Sequence, residues 1–225
     1  MTLSILVITK VEPFAVPFLT EMAQVAKVCN AEFVIAVDGT PQCGCDTPLL
    51  FDVPRQVVLT VRSKGYLESV HDEALAACSG DYVLRLDDDE RCSVAMIKWL
   101  VEQSYTAAPL WKFPRAHRYA TDKAAGDHIF IVNPPLWPDH QTRLGLKSMM
   151  GGRTHIHAGS PHGGGELAPV VLVHDKFVVK PLADRREIVR RYDRIAQGAG
   201  TAFAAFSVPE DVFATLNLVS TVEGL

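Results

Sequence analysis

The run LSILVIT (3–9) is apolar and β-branched without polar alternation, which predicts a strand covered on both faces. PFAVPFLTEMAQVAKVCN (13–30) follows with Phe18, Met22 and Val25 at helical spacing. EFVIAVD (32–38) and RQVVLTV (55–61) predict the second and third strands. YLESVHDEALAAC (66–78) fits a helix closed by Gly80 after Ser79. DYVLRL (81–86) predicts a fourth strand, and SVAMIKWLVEQS (93–104) the helix after it. Strands alternating with helices imply an α/β protein with a largely parallel sheet and helices on both faces.

Past about residue 108 the pattern loosens. Proline, glycine, histidine and tryptophan become common in WKFPRAHRY, NPPLWPDHQTRL and MMGGRTHIHAGSPHGGGELAP. Short strands, HIFIV and PVVLVHDKFVV, are expected among long loops, and such loops on an α/β core usually face substrate or move. DRREIVRRYDRIAQ (184–197) predicts a helix opened by a capping box of Asp184 and Glu187, with an apolar stripe of Ile188, Tyr192 and Ile195. Arg186, Arg190 and Arg194 recur along it, either as a solvated face or as a contact for a phosphate-bearing acceptor or headgroup. Ser207 and Pro209 open a short final helical stretch. The chain is expected to be one domain in two halves: 1–108 holding a donor, and 109–225 holding an acceptor and the C-terminal elements.

Composition narrows the class. A hydrophobic content of 48% over 225 residues supports one sizeable core. No apolar run is long enough to span a bilayer, and the opening MTLSILVITKVEPF lacks a basic n-region and a cleavage site, so the expected compartment is the cytoplasm. The five cysteines, Cys29, Cys43, Cys45, Cys78 and Cys92, have no disulfide-scaffold spacing, and CGC lacks the second pair of a zinc finger. A net charge of −4 argues against a general nucleic-acid binder.

The candidate chemistry centres on DYVLRLDDDERCS (81–93). Asp87, Asp88, Asp89 and Glu90 stand side by side where a strand ends, and adjacent carboxylates repel. Alternate side chains on a strand point the same way, so Asp87 and Asp89 can converge while Asp88 faces elsewhere. Asp38, ending another strand, should lie at the same edge, where open α/β sheets bind ligands. Hard oxygen ligands suit Mg²⁺ or Mn²⁺ gripping a substrate phosphate, and the expectation is that such a cation, rather than protein lysines, offsets the row. The other reading of the same acids is caps and solvated loop charges.

Several segments, in this order and spacing, resemble the family 2 glycosyltransferases of the GT-A fold. They are LSILVITKVEP, FVIAVDGT, GYLESVHDEALAACSGDYVLRLDDDE and WPDHQTRL, and the similarity runs from residue 3 to about residue 192. SGDYVLRLDDDE resembles the family's strand and D-x-D metal motif, VDGT its nucleotide-binding turn, WPDHQTRL its P-D-x-Q-x-R-L segment, and VVLVHDKFVV its late strand bearing a histidine. The resemblance implies a nucleotide-sugar donor, UDP-linked by default, and Mn²⁺ or Mg²⁺. Asp38 would accept from the nucleobase beside Thr9, and Gly65 would precede the helix lining the nucleotide pocket. Asp87 would meet the ribose or a metal-bound water, Asp89 would ligate the metal, and His174 would add a metal or phosphate contact. Arg143 would face the donor. Without the resemblance, His174 also reads as a core histidine.

The pattern is incomplete. Where many relatives carry Arg-Asn, this chain has His71 and Asp72. No acid directly follows the histidines of RTHIHAGSPHGGGE, so the base that inverting transfer needs falls to Asp139 or His157, with Glu166 more distant. Asp139 reads equally as a lock on Arg143 or a loop. His155, His157 and His162 form a polar acceptor loop or, on the sharper reading, a metal site. HGGGE alone does not make an oxyanion loop. A metal-dependent transfer of sugar to an acceptor hydroxyl is the leading function. A catalytically silent nucleotide-sugar binding module is its rival. A nucleotidyltransferase ranks lower, since TKVEPFAV has no glycine for a phosphate loop. The acceptor stays open among a glycan precursor, a protein, a lipid-linked sugar and a modified nucleobase.

Overall fold

The computed structural model describes residues 1–39, 49–119, 129–132, 134, 136–152, 164–207, 209 and 218–219. Four parallel strands come from the first ninety residues: β1 (Leu3–Thr9), β2 (Glu32–Asp38), β3 (Arg55–Val61) and β4 (Tyr82–Asp87). They lie side by side as β3-β2-β1-β4. Every residue of β1 and β2 is buried, as their unbroken apolar runs require. Helix α1 (Ala15–Val28) turns Phe18, Leu19 and Met22 onto one face of the sheet, joined there by α3 (Val94–Val101) through Met96, Trp99 and Leu100. The Ser93 hydroxyl caps α3 by accepting from the Met96 amide at 3.1 Å. On the other face, a 3₁₀ turn (Leu67–Val70) and α2 (His71–Ala76) pack Val70, Ala74 and Leu75 over Leu6, Ile8, Val34 and Ala36.

The later half extends the same sheet. Strands β5 (Glu90–Cys92), β6 (Leu110–Tyr119), β7 (Ile129–Ile131), β8 (Asp139–Leu146), β9 (Glu166–Leu167), β10 (Leu172–His174) and β11 (Leu218–Val219) follow in chain order. β8 inserts between β4 and β6, antiparallel to both, and β10 runs parallel to β6 and antiparallel to β5. Helices α4 (Lys147–Met150), α5 (Lys176–Val179) and α6 (Leu182–Ile195) complete the described elements. The expected α/β architecture, a central sheet flanked by helices, is the one observed; its parallel part is β1 to β4, and beyond β4 the sheet is mixed.

Four local expectations are corrected. WKFPRAHRY and DHQTRL are strands, not loops: their charged residues pair across the sheet instead of meeting water. PVVLVHDKFVV divides into β10 and helix α5 after His174. Helix α6 begins at Leu182 after Pro181, so Asp184 lies inside the first turn without capping through its side chain, and Glu187 pairs with Arg190 and Arg194. Ser207 is the last residue of a 3₁₀ helix (Ala199–Ser207), and the helical stretch expected after it and Pro209 lies outside the described residues. Gly80 serves packing rather than helix closure: a Cβ there would stand 2.6 Å from the Ser4 amide nitrogen.

Candidate functional site

A cavity of about 750 Å³ opens beyond the carboxyl ends of β1, β2 and β4, the edge at which α/β sheets bind ligands. Thr9, Asp38, Gly65, Asp87, Asp89, Asp139 and Arg143 all line it. The resemblance and the strand ends thus point to one place. His174 is fully buried just behind the lining, and His157, His155, His162, Cys43 and Cys45 lie outside the described residues.

The acidic row is mostly offset by the protein itself, contrary to expectation. Glu90 is fully buried and accepts from Arg115 Nη1 at 2.8 Å, from Arg143 Nε and Nη2 at 2.7 Å each, and from the Asp87 amide at 3.0 Å. Arg143 reaches on to Asp87 Oδ2 at 2.9 Å, and Arg85 takes Asp87 Oδ1 at 2.6 Å. Arg115 also pairs with Asp139 Oδ2 through Nε at 2.9 Å and Nη2 at 2.5 Å. The result is an alternating ladder, Asp139–Arg115–Glu90–Arg143–Asp87–Arg85, with three carboxylates against three guanidiniums. Local geometry builds it: Arg115 stands opposite Asp139 in the β6–β8 register, and Arg85 and Asp87 are two residues apart on β4.

This arrangement sets the charges. Burial would raise the Asp87 carboxyl, but Arg85 and Arg143 outweigh it and bring the group to about 2. Asp139 is likewise pulled far below the usual carboxylate range, against its burial, by the His117 hydrogen bond and Arg115; Gln141 holds its other oxygen at 2.7 Å. A carboxylate so stabilised has little affinity for a proton and is poorly matched to a general base's task. Asp88 goes the other way. Burial, helped by Asp89 and Asp87, pushes it up to about 7, while its Oδ2 accepts from the Thr9 hydroxyl at 2.7 Å.

Among the described residues, Asp89, like Asp88, pairs with no arginine. Burial raises it, and Lys176 and His174 more than reverse this, holding it well below the ordinary range. The Lys176 ammonium is 3.8 Å from Asp89 Oδ2 and lies over the Phe206 ring at 4.7 Å. His174 Nε2 stands 3.2 Å from Asp89 Oδ1 but is not aligned for a hydrogen bond and has no partner. Among the described residues no cluster of three His, Cys, Asp or Glu is spaced for a metal ion. Two ligands do fit, however. Nitrogen and oxygen at right angles on one divalent cation, with bonds near 2.1 Å, sit about 3.0 Å apart, close to the Asp89–His174 spacing. Such hard cations complete their shell with phosphate oxygens and water. Asp87, whose oxygens are both held by arginine, does not join them.

The wall beside Asp38 is built on Ser63, which sequence reasoning missed. Asp38 Oδ1 accepts from the Ser63 amide at 2.8 Å and Oδ2 from its hydroxyl at 2.6 Å. Gly65 follows with φ +92°, a conformation that favours glycine, and Tyr66, Leu67 and Glu68 continue the wall. His71 and Asp72 do not line the cavity, in keeping with the departure from Arg-Asn. From α6, Ile188, Arg191 and Tyr192 face the cavity, while Arg190 and Arg194 are exposed and paired with Glu187. The arginine stripe is a solvated face. Lys180, also lining, is 3.3 Å from Glu12. Other residues found only in the structure are Arg115, His117 and Arg185, while Glu90 of the acidic row gains its place in the ladder only there. Arg185 is buried and ties the 3₁₀ helix to α5 by donating to the Phe206 and Lys180 carbonyls at 2.9 Å each. Glu166 is exposed on β9, away from the cavity.

No family model matches the sequence, and no curated protein matches it. Among solved structures, the chain is similar to S. aureus TarS 1–349 in complex with UDP-GlcNAc, at TM-score 0.49 and 12% identity, covering 95% of this chain and 73% of that one. TarS 1–349 in complex with UDP matches at TM-score 0.45 and 12% identity, covering 95% and 72%. A longer TarS chain matches at TM-score 0.46 and 11% identity, covering 92% of this chain and 43% of that one. With identities this low and TM-scores below 0.5, these likenesses add nothing about activity or residues. The functional reading rests on the site.

Proposed function

We propose that this protein is a glycosyltransferase that moves a sugar from a nucleoside diphosphate donor to an acceptor hydroxyl, most simply with inversion. The observation that carries the reading is the cavity itself. It gathers at one sheet edge a carboxylate with a serine (Asp38, Ser63), a glycine turn (Gly65), two lysines (Lys176, Lys180) and the Asp89–His174 pair. Asp38 and Ser63 suit the donor's base and ribose, and the lysines suit its diphosphate. UDP is the default because of the sequence resemblance. In the transfer, the bond from the sugar's anomeric carbon to the diphosphate breaks as the acceptor oxygen bonds to that carbon, and the hydroxyl proton passes to a base. A Mn²⁺ or Mg²⁺ ion held by Asp89 and His174 would supply Lewis-acid stabilisation of the departing diphosphate. Asp87 and Arg143 shape the floor through the ladder instead of gripping the ion.

A second reading, a nucleotide-sugar binding module without transfer, is favoured by one observation: Asp139, the described candidate base, is strapped by Arg115 and His117. Calorimetric titration with UDP, GDP, CDP and dTDP, with and without Mn²⁺, tests the donor site, and donor hydrolysis or transfer separates the readings. Asp89→Ala is expected to abolish metal-dependent nucleotide binding, and because Asp89 is buried beside Lys176 the variant's fold is verified by circular dichroism before titration. Unchanged affinity in that variant would remove Asp89 from the site.

A further inference from the structure

We propose that His117 and Asp139 are positioning residues for a divalent cation at Asp89 and His174, forming a carboxylate–imidazole–imidazole line that fixes which nitrogen of His174 carries its proton. The inference deepens the donor-site reading above and rests on it. The register of β6 and β10 sets His117 beside His174, and both imidazoles are fully buried. Their Nδ1 atoms are 2.8 Å apart. His117 Nε2 lies 3.2 Å from Asp139 Oδ2, while His174 Nε2 faces Asp89 Oδ1 at 3.2 Å.

Counting protons decides the arrangement. Each of the three contacts, Asp139 to His117, His117 to His174, and His174 to Asp89, needs one hydrogen if it is to be a hydrogen bond. Two neutral imidazoles carry two. One contact must go without, and it sets a lone pair either against a carboxylate oxygen or, between the two Nδ1 atoms, against another lone pair. Alignment shows which: the first two contacts meet hydrogen-bond geometry, and the third does not, leaving His174 Nε2 unpartnered. His117 therefore donates from Nε2 to Asp139 and accepts at Nδ1 from His174. The His174 Nε2 lone pair then opens beside Asp89, not straight at its oxygen, and a cation bound by both is the partner that this nitrogen lacks, while Asp89 also keeps Lys176 at 3.8 Å. Outer partners of metal-bound histidine act in this way, and their loss typically lowers metal affinity ten- to a hundredfold. Asp139 thereby gains a role that its low proton affinity suits, as the fixed acceptor at the far end of the line.

The test uses the full chain and Mn²⁺ alone, with free ion counted by electron paramagnetic resonance. His117→Leu, which removes the acceptor, is expected to weaken Mn²⁺ binding at least tenfold. His117→Asn, whose amide oxygen can take the place of Nδ1, should restore affinity to within about threefold of the parent protein. A purely structural His117 would lower melting temperature in both variants without this split, and equal affinities in the two would overturn the proposal. If His117→Leu does not fold, imidazole ¹⁵N spectra of the unaltered protein decide. His174 protonated on Nδ1 and His117 on Nε2 support the line, and the opposite tautomers refute it. Absence of Mn²⁺ binding in the unaltered protein also refutes it, whereas UDP binding under the same conditions would leave the donor site standing.

Discussion

Replacing Glu90 by glutamine removes one negative charge from the middle of the buried ladder and changes almost nothing else in volume. Glu90 accepts four hydrogen bonds, three of them from the guanidiniums of Arg115 and Arg143. A glutamine amide keeps one acceptor oxygen and turns an NH₂ group toward donors that need an acceptor. Two arginines would then share Asp87 and Asp139 alone, around a position that is itself fully buried. Charge-assisted hydrogen bonds contribute about 1.5–3 kcal/mol each, and removing one partner of a buried pair costs about 3–5 kcal/mol. A loss of about 3–5 kcal/mol is therefore expected, a large part of the roughly 5–15 kcal/mol that holds a domain. Equilibrium urea unfolding is the assay. At a slope of about 2.5 kcal/mol/M, the midpoint should fall by roughly 1–2 M with the slope unchanged. Glu187→Gln is the control, since its pairs with Arg190 and Arg194 stand in solvent, and its midpoint should hardly move. A shift for Glu90→Gln as small as the control's would refute the ladder as a buried network.

Asp88 carries a pH dependence of stability. Its carboxyl is pushed up to about 7 by burial, against 3.8 as the ordinary value. Between these pH values the folded chain holds a proton the unfolded chain has released. Its contribution to stability is thus fully present below the ordinary value and lost as pH rises through about 7. Asp88→Asn, which still accepts from Thr9, should be more stable than the parent protein at pH 8 by roughly 2–4 kcal/mol and by much less at pH 4; a gap that does not widen with pH in thermal unfolding would contradict the burial of this group. Gly65→Ala should cost about 1 kcal/mol or more, because φ is +92° and the new methyl meets Ile195 Cδ1 at 3.2 Å. It should also weaken UDP binding, and a calorimetric titration with unchanged affinity would place the nucleotide elsewhere in the cavity.

How much was legible beforehand divides along the chain. Strands β1, β2 and β4 and helices α1 and α3 are written in local patterns: continuous β-branched runs, an apolar stripe at helical spacing, and a serine cap at Ser93. Their strand ends carry Thr9, Asp38 and Asp87 to a common edge, since side chains alternate on a strand and parallel strands share a direction. The later strands were hidden because they are buried yet charged. Arg115, His117, Asp139 and Arg143 look like loop residues when each is read by its neighbours in sequence. They stay inside only because Arg115 faces Asp139 across β6 and β8, and because Glu90, far away in the chain, takes both arginines at once.

The acidic row shows the limit most clearly. By itself the sequence determined that four carboxylates crowd one strand end and that cations must offset them. Which cations do so was decided only by tertiary structure, because charge compensation is set by distance in space and burial rather than by spacing along the chain. Asp87 and Glu90 went to arginines from β4, β6 and β8. Asp89 alone was left beside Lys176 and a histidine whose free nitrogen faces it.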